Sequence, residues 1–170
     1  NRAGFTTQAA KATNEGEGDF LLAGDVMLAG TGFRTDQAAH AEAQELFGRP
    51  VITLQLIDPR FYHLDTALCV LNPTRGSGRP EIAYLPEAFS PGSRRVLERL
   101  YPTAIKASAR DAAVLGLNAV SDGTHVVLPT QASELACRLA SEGYRPVPVD
   151  VSELLRAGGG PKCATLEVRR

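Results

Sequence analysis

The sequence predicts an α/β fold built from repeated units, each with two strands, a helix and a further strand. Short apolar runs bounded by turn residues indicate the strands, and longer amphipathic segments with capping residues indicate the helices. This order recurs with a period of roughly 45–50 residues, which is typical of structural repeats around an axis. The pattern leaves an ordinary mixed α/β sandwich open as the alternative.

The first unit is expected to begin with a hairpin, because Gly24-Asp25 separates two apolar runs and is a favourable turn pair. A helix should follow, since Thr35 or Asp36 can cap its start and Gly48 can end it. The expected strands are residues 20–23, 26–29 and 51–56, and the expected helix extends to residue 47.

Two further units are expected downstream. Ser90-Pro91 predicts a helix start, because Pro is favoured at the first helical position. Ser121-Asp122-Gly123 predicts a hairpin turn. The expected strands are residues 66–71, 82–85, 104–106, 118–120, 125–128, 145–149 and 164–168, and the expected helices are residues 91–100, 109–115, 131–142 and 152–157. The turn-rich segment 72–80 is expected to be an exposed loop.

Composition narrows the class of protein. With 170 residues, 44% of them hydrophobic, residues 1–170 can form one domain with a substantial core. A net charge of -1 without a basic stripe argues against nucleic acid or a membrane surface as a partner. The three cysteines form no CxxC pair, so neither a disulfide framework nor a zinc site is expected, and a cytoplasmic location fits best. The chain does not open with Met, and we expect sequence upstream to be missing.

An acidic loop and a histidine segment concentrate residues that can carry chemistry. The loop holds Glu15, Glu17 and Asp19 between glycines that let the backbone approach another group; an acidic turn before a hairpin is the simpler explanation. His63 and Asp65 would point to the same side if their segment were extended. The alternative is a histidine that is merely hydrogen-bonded at a strand end.

Three glycines precede Lys162 and Cys163 in a third loop. Such a loop suits a nucleophile that must reach a substrate, although a flexible linker before a buried cysteine gives the same pattern. The other two cysteines, Cys69 and Cys137, lie in apolar contexts and are expected in the core. His40 is expected on a helix surface.

Five stretches carry a resemblance to a known family: NEGEGD, GFRTD, DPRFYHLDT, LNAVSDG and GGGPKC. Together they resemble the pentein superfamily of guanidine-modifying proteins, which comprises arginine deiminases, dimethylarginine dimethylaminohydrolases, arginine dihydrolases and amidinotransferases. Bacterial dimethylarginine dimethylaminohydrolase-like members are the most similar. The resemblance implies an α/β propeller of five ββαβ modules. This chain would hold about three of them as a C-terminal portion, with the N-terminal part missing.

The same resemblance implies roles for individual residues. Cys163 matches the nucleophile and His63 the general acid/base. The carboxylate that orients His63 is assigned to Glu15, on the assumption that the extra residue of the loop bulges out at Glu17. Glu17 is the alternative for this role.

Three further residues are implied to bind the substrate. Asp65 is similar to the carboxylate that holds the guanidinium group, and Arg34 is similar to the arginine that binds the α-carboxylate of the substrate. Asn118 lies in a matching motif and is assigned to the same site. The resemblance implies no metal and no cofactor.

The implied reaction is cysteine-dependent hydrolysis of the guanidinium group of arginine or methylated arginine. It passes through a covalent thiouronium intermediate and gives citrulline with an amine or ammonia. An arginine dihydrolase that gives ornithine, an amidinotransferase, and an inactive truncated binding module are the alternatives. The expected partners are a small-molecule substrate and either the missing N-terminal half or further copies of the chain.

Overall fold

The computed structural model describes Gly4, residues 7–73 and residues 80–167. Within these ranges, nine strands form three separate three-stranded sheets. In each sheet the first two strands are antiparallel, and the third returns parallel to the second after a helix. The three ββαβ units predicted from the sequence are therefore confirmed. None of the helices in these ranges has the length and apolar content needed to traverse a bilayer.

The first module follows the predicted hairpin and helix closely. Its elements are β1 (Phe20–Ala23), β2 (Val26–Thr31), α1 (Gln37–Phe47) and β3 (Val51–Gln55). Gly48 ends α1 in the left-handed conformation, with a φ of 61°, and its N–H donates to the carbonyl of Gln44. This is the stop that the sequence predicts, because glycine adopts this conformation without steric penalty.

The second module begins with a short helix that the sequence did not predict. Its elements are α2 (Leu64–Ala67), β4 (Leu68–Asn72), β5 (Glu81–Tyr84), α3 (Pro91–Leu100) and β6 (Ile105–Lys106). The Ser90 side chain accepts a hydrogen bond from the Ser93 N–H, as expected for the cap of α3. Residues 74–79 of the expected loop lie outside the described residues.

The third module lies between two short helices. The elements of this region are α4 (Ala109–Ala113), β7 (Val120–Ser121), β8 (His125–Pro129), α5 (Ser133–Ser141), β9 (Arg145–Val149) and α6 (Ser152–Arg156). A 3-10 turn, Lys162–Ala164, follows. The strand expected at 164–168 is wrong over residues 164–167, because this turn and irregular backbone occupy them, and residue 168 lies outside the described residues.

One continuous core joins the three modules. Its largest fully buried side chains come from all of them: Tyr84, Phe61, Leu28, Leu54, Leu56, Leu64, Leu68, Leu71, Ile82, Leu85, Leu97 and Leu117. The first strands of successive modules are also in spatial contact: β1 contacts β4, and β4 contacts β7. This arrangement brings together the loops that precede these three strands.

Two expectations about burial are wrong. His40 is only 4% exposed, and Cys137 is exposed on α5 rather than part of the core. His40 Nε2 lies 3.1 Å from the carbonyl of Gly30, and Nδ1 lies 2.9 Å from Thr53 Oγ1. Because a carbonyl can only accept, the Nε2 atom carries the proton. Burial lowers the pKa of His40 and favours this neutral form.

Candidate active site

Three loops that are distant in sequence converge on one site. The acidic loop contributes Glu15, the segment before β4 contributes His63 and Asp65, and the glycine-rich loop contributes Cys163. The Cys163 side chain is exposed, and its Sγ lies 3.9 Å from Asp65 Oδ2. The structure therefore places a thiol and a carboxylate side by side, as required of groups that act on one small molecule.

His63 is held between Glu15 and Gly18. Its Nε2 lies 2.5 Å from Glu15 Oε2, and because a carboxylate only accepts, the ring donates this hydrogen bond. The hydrogen bond from His63 is the largest effect that lowers the pKa of Glu15. A Cβ atom at Gly18 would come within 2.9 Å of His63 Nδ1, so the ring packs directly on the glycine. The ring is thus fixed on one edge by a carboxylate and on another by backbone.

Glu17 points elsewhere. Gly16–Gly18 form a 3-10 turn, so the alternation that would place Glu15 and Glu17 on one face does not occur. Glu17 Oε2 lies 3.0 Å from the Nζ of Lys162. Lys162 is buried, and its Nζ also lies 3.0 Å from Glu167 Oε1. Of the two glutamates, Glu15 contacts His63.

Asp65 is a buried carboxylate with unused capacity. It lies in the first turn of α2, so the expectation of an extended segment carrying His63 and Asp65 is wrong. The residue is 4% exposed, and its Oδ1 has no hydrogen-bond partner among the described residues. Burial raises the pKa of Asp65 to about 6, because removal from water disfavours the charged form. Such an oxygen is poised to accept from a cationic donor that enters the site.

Asn118 fixes the nucleophile loop from within. Its Oδ1 accepts from the N–H of Gly160 at 2.9 Å and from the N–H of Cys163 at 3.2 Å, and its Nδ2 donates to the carbonyl of Asp65 at 3.3 Å. The side chain is fully buried. Asn118 was assigned to substrate binding, but its amide is occupied by the chain itself, which favours a role in positioning Cys163 against Asp65.

Arg34 lies at the rim of the site. Its Nη1 is 3.2 Å from Glu15 Oε1, and its Cζ lies 5.2 Å from the centre of the Tyr62 ring. The side chain is about half exposed, at 51%. Tyr62 in turn donates its hydroxyl proton to the carbonyl of Gly158 at 2.6 Å. Arg34 is therefore oriented by both an acid and an aromatic face, while its remaining N–H groups are accessible.

Two buried polar residues next to the candidate site, Asp19 and Thr35, were given no role there by the sequence analysis. Both were noted, one as part of the acidic loop and the other as a possible helix cap. The sequence signal that could have identified Asp19 is its position directly before an apolar strand, where its carboxylate can face the core. In the described part of the chain, no cluster of three or more His, Cys, Asp or Glu side chains is placed to hold a metal ion.

Comparison with known proteins identifies close relatives, although no protein-family model matches the chain. A dimethylarginine dimethylaminohydrolase from Mycobacterium tuberculosis is 52% identical over 165 residues, which cover 97% of this chain and 53% of that protein. A bifunctional arginine dihydrolase/ornithine cyclodeaminase from Synechocystis, ArgZ, is 35% identical, over 91% of this chain and 22% of that protein. This chain therefore spans about half the length of the first relative and a smaller share, 22%, of the second.

A crystal structure of the N-terminal domain of ArgZ bound to product shares the fold. It matches with a TM-score of 0.90 at 34% identity, over 99% of this chain and 62% of that one. A variant of the same domain, covalently bound to a reaction intermediate, matches with the same score and coverage.

The raised pKa of Asp65 predicts a dependence of stability on pH. In the unfolded chain an aspartate titrates near pH 4. Because the folded-state pKa is higher, ionisation destabilises the fold, and the free energy of unfolding falls as pH rises from about 4 to about 6. Asp65→Asn should therefore stabilise the protein by up to about 3 kcal/mol at pH 8 and by little at pH 4. Urea unfolding at both pH values measures this, and an equal effect at the two would contradict it.

Proposed function

We propose that this chain, which belongs to the pentein superfamily of guanidine-modifying proteins, carries the catalytic residues of a cysteine-dependent hydrolase. Its substrate is the guanidinium group of arginine or methylated arginine. The observation that carries the proposal is the convergence of an exposed thiol, a histidine–carboxylate pair and a buried carboxylate with an unused oxygen. The similarity to a dimethylarginine dimethylaminohydrolase and to an arginine dihydrolase supports it.

Binding of the substrate cation is the first step of the proposed reaction. The guanidinium N–H groups donate to Asp65, whose Oδ1 is otherwise without a partner in the described structure. The positive charge of the substrate favours the ionised form of Asp65 and the thiolate form of Cys163, since a nearby opposite charge stabilises an anion. The 3.9 Å between the thiol and the carboxylate allows both to contact one planar group.

The chemical steps follow from the positions of Cys163 and His63. The Cys163 thiolate attacks the central guanidinium carbon, and His63 gives a proton to the departing nitrogen as the carbon–nitrogen bond breaks. Water then attacks the covalent thiouronium intermediate and His63 takes a proton from it, and the carbon–sulfur bond breaks to release the ureido product and the Cys163 thiolate. Glu15 orients the ring and stabilises the imidazolium form, as carboxylates do in other nucleophile–histidine–acid sets. The covalent intermediate reported for the related dihydrolase supports this scheme.

The identity of the product separates two candidate reactions. One hydrolytic cycle on dimethylarginine or arginine gives citrulline with dimethylamine or ammonia. A dihydrolase gives ornithine, and the fold match to ArgZ favours it as the second candidate. Both reactions require the residues described above.

We also propose that residues 1–170 are part of a larger α/β propeller that further modules complete. The shorter extent of this chain relative to its relatives supports this proposal. So does an apolar groove of about 700 Å³ beside α1, whose lining includes Leu22, Met27, Leu46, Phe47 and Leu166. Because the proposed nucleophile must remain a free thiol, a reducing compartment such as the cytoplasm suits it.

A product assay tests the proposed function. The complete protein that contains this chain is incubated with arginine and with dimethylarginine, and citrulline, ornithine, ammonia and dimethylamine are quantified. We expect turnover of at least one substrate, and its loss in Cys163→Ser. Cys137→Ser, which changes an exposed cysteine outside the site, is the matched control and should retain the wild-type rate. Wild-type turnover in Cys163→Ser would refute the assignment.

The two glutamates of the acidic loop give a second test. Glu15→Gln should lower kcat by at least about 100-fold, within the range that general acid–base catalysis supplies. Glu17→Gln should have a much smaller effect, because Glu17 contacts Lys162 rather than His63. Steady-state kinetics of both variants decide the matter, and the opposite ranking would transfer the role to Glu17.

Arg34 is proposed to bind the α-carboxylate of the substrate. Loss of a charge-assisted contact to a carboxylate is worth roughly 2–3 kcal/mol. Arg34→Ala should therefore raise KM for arginine by about 30–150-fold, and should raise KM for agmatine, which lacks the carboxylate, far less. Equal effects on the two compounds would mean that Arg34 acts through Glu15 instead.

A further inference from the structure

Asp19 is a buried carboxylate beneath the proposed site, and it joins three parts of the chain. It is 1% exposed. Its Oδ1 accepts from the N–H of Leu64 at 2.9 Å, and its Oδ2 accepts from the hydroxyl of Thr35 at 2.7 Å. Its backbone carbonyl accepts from the N–H of Gly30 at 2.8 Å. No lysine or arginine nitrogen in the described residues is paired with it, and the hydrogen bonds from Thr35 and Leu64 are the largest effects that compensate its burial.

Thr35 connects Asp19 to Glu15 by hydrogen bonds. Its Oγ1 donates to Asp19 and accepts from the N–H of Glu15 at 3.2 Å. Its carbonyl accepts from the hydroxyl of Thr31 at 2.7 Å, which holds the residue in place. Thr35 is 3% exposed, so water does not compete for these bonds. The Thr35 hydroxyl is thus a bridge between a buried carboxylate and the backbone of Glu15.

The two ends of this network lie at Glu15 and next to His63, the two partners of the hydrogen-bonded pair. One end is Leu64, which directly follows His63, and the other is the N–H of Glu15 itself. The contact between these partners is 2.5 Å, a distance that depends on where both backbones lie. A single carboxylate therefore connects to both backbones through at most one intervening hydroxyl.

Gly30 makes room for this arrangement. A Cβ atom at Gly30 would lie 2.8 Å from Asp19 Oδ1 and 2.8 Å from the Cβ of Leu64. Any side chain there would push the carboxylate away from the start of α2. The absence of a side chain at Gly30, near the end of β2, is what lets Asp19 reach Leu64.

We propose that Asp19 and Thr35 are positioning residues that set the contact between Glu15 and His63. The inference rests on the proposed hydrolase reaction for its kinetic consequence, but the contact itself is measurable without turnover. A carboxylate suits the position because a main-chain N–H and a hydroxyl both donate to it. Asparagine would turn one accepting oxygen into a donor and lose one of the two bonds.

Kinetics of Thr35 variants in the complete protein test the proposal. Thr35→Val removes the hydroxyl at nearly constant volume and should lower kcat by about 10–100-fold with KM within about threefold. Thr35→Ser keeps the hydroxyl and should stay within about threefold of the wild-type kcat. Ser93→Ala removes a buried hydroxyl of the second module that accepts from the N–H of Gln55 at the end of β3, and it serves as the control with unchanged kcat.

A double-mutant cycle separates positioning from a general structural role. If Thr35 acts through Glu15, adding Thr35→Val to Glu15→Gln should produce no further loss of kcat. Full additivity of the two effects would overturn the proposal.

An NMR measurement decides the question independently of turnover. The ordered His63 Nε2–H should give a low-field proton signal in the wild type and in Thr35→Ser, and Glu15→Gln should abolish it, which assigns it. We expect Thr35→Val and Asp19→Asn to broaden or lose it. An unchanged signal in these variants, or none in the wild type, would overturn the positioning role. A protein that shows the signal but turns over no guanidino compound would refute the proposed function alone.

Discussion

The site depends on one buried amide, that of Asn118. Cys163 lies in a 3-10 turn outside any sheet, so no strand ladder fixes the nucleophile. Asn118 supplies the missing constraint, since its Oδ1 accepts from the Gly160 and Cys163 N–H groups while its Nδ2 donates to the carbonyl of Asp65. One side chain therefore ties the nucleophile loop to the carboxylate that faces it. Its complete burial excludes the water that would otherwise compete for these bonds.

The site also concentrates charge where water is scarce. Asp19, Asp65 and Lys162 are all buried, but only Lys162 is paired with opposite charges, on Glu17 and Glu167. Burial raises the pKa values of both Asp19 and Asp65. The two aspartates differ in their hydrogen bonds, because each side-chain oxygen of Asp19 accepts one whereas Oδ1 of Asp65 has no partner among the described residues. The other oxygen of Asp65, Oδ2, lies 3.9 Å from the thiol, and a cation that enters there relieves the cost of burying this carboxylate.

Local signals predicted the fold, whereas long-range contacts decided the site. The Gly24-Asp25 hairpin, the Ser90 cap and the Gly48 stop each depend on a few neighbouring residues, and the sequence was sufficient for them. The buried position of His40 depends on its contacts with the Gly30 carbonyl and Thr53. The periodicity of a helix carries no information about such long-range contacts. The strand expected after Cys163 was wrong over residues 164–167, where a 3-10 turn and irregular backbone stand in its place.

Most of the proposed active-site groups precede the first strand of a module; Arg34, after β2, and Cys163, after α6, are the exceptions. Glu15 and Asp19 directly precede β1, His63 and Asp65 precede β4, and Asn118 precedes β7. The connecting helices α1, α3 and α5 carry none of them. Evolution can therefore alter the helices, and even their lengths, without moving a catalytic atom. A single inserted residue before β1, β4 or β7 has no such freedom. The architecture separates helices that carry none of these groups from short junctions whose lengths set the geometry of the site.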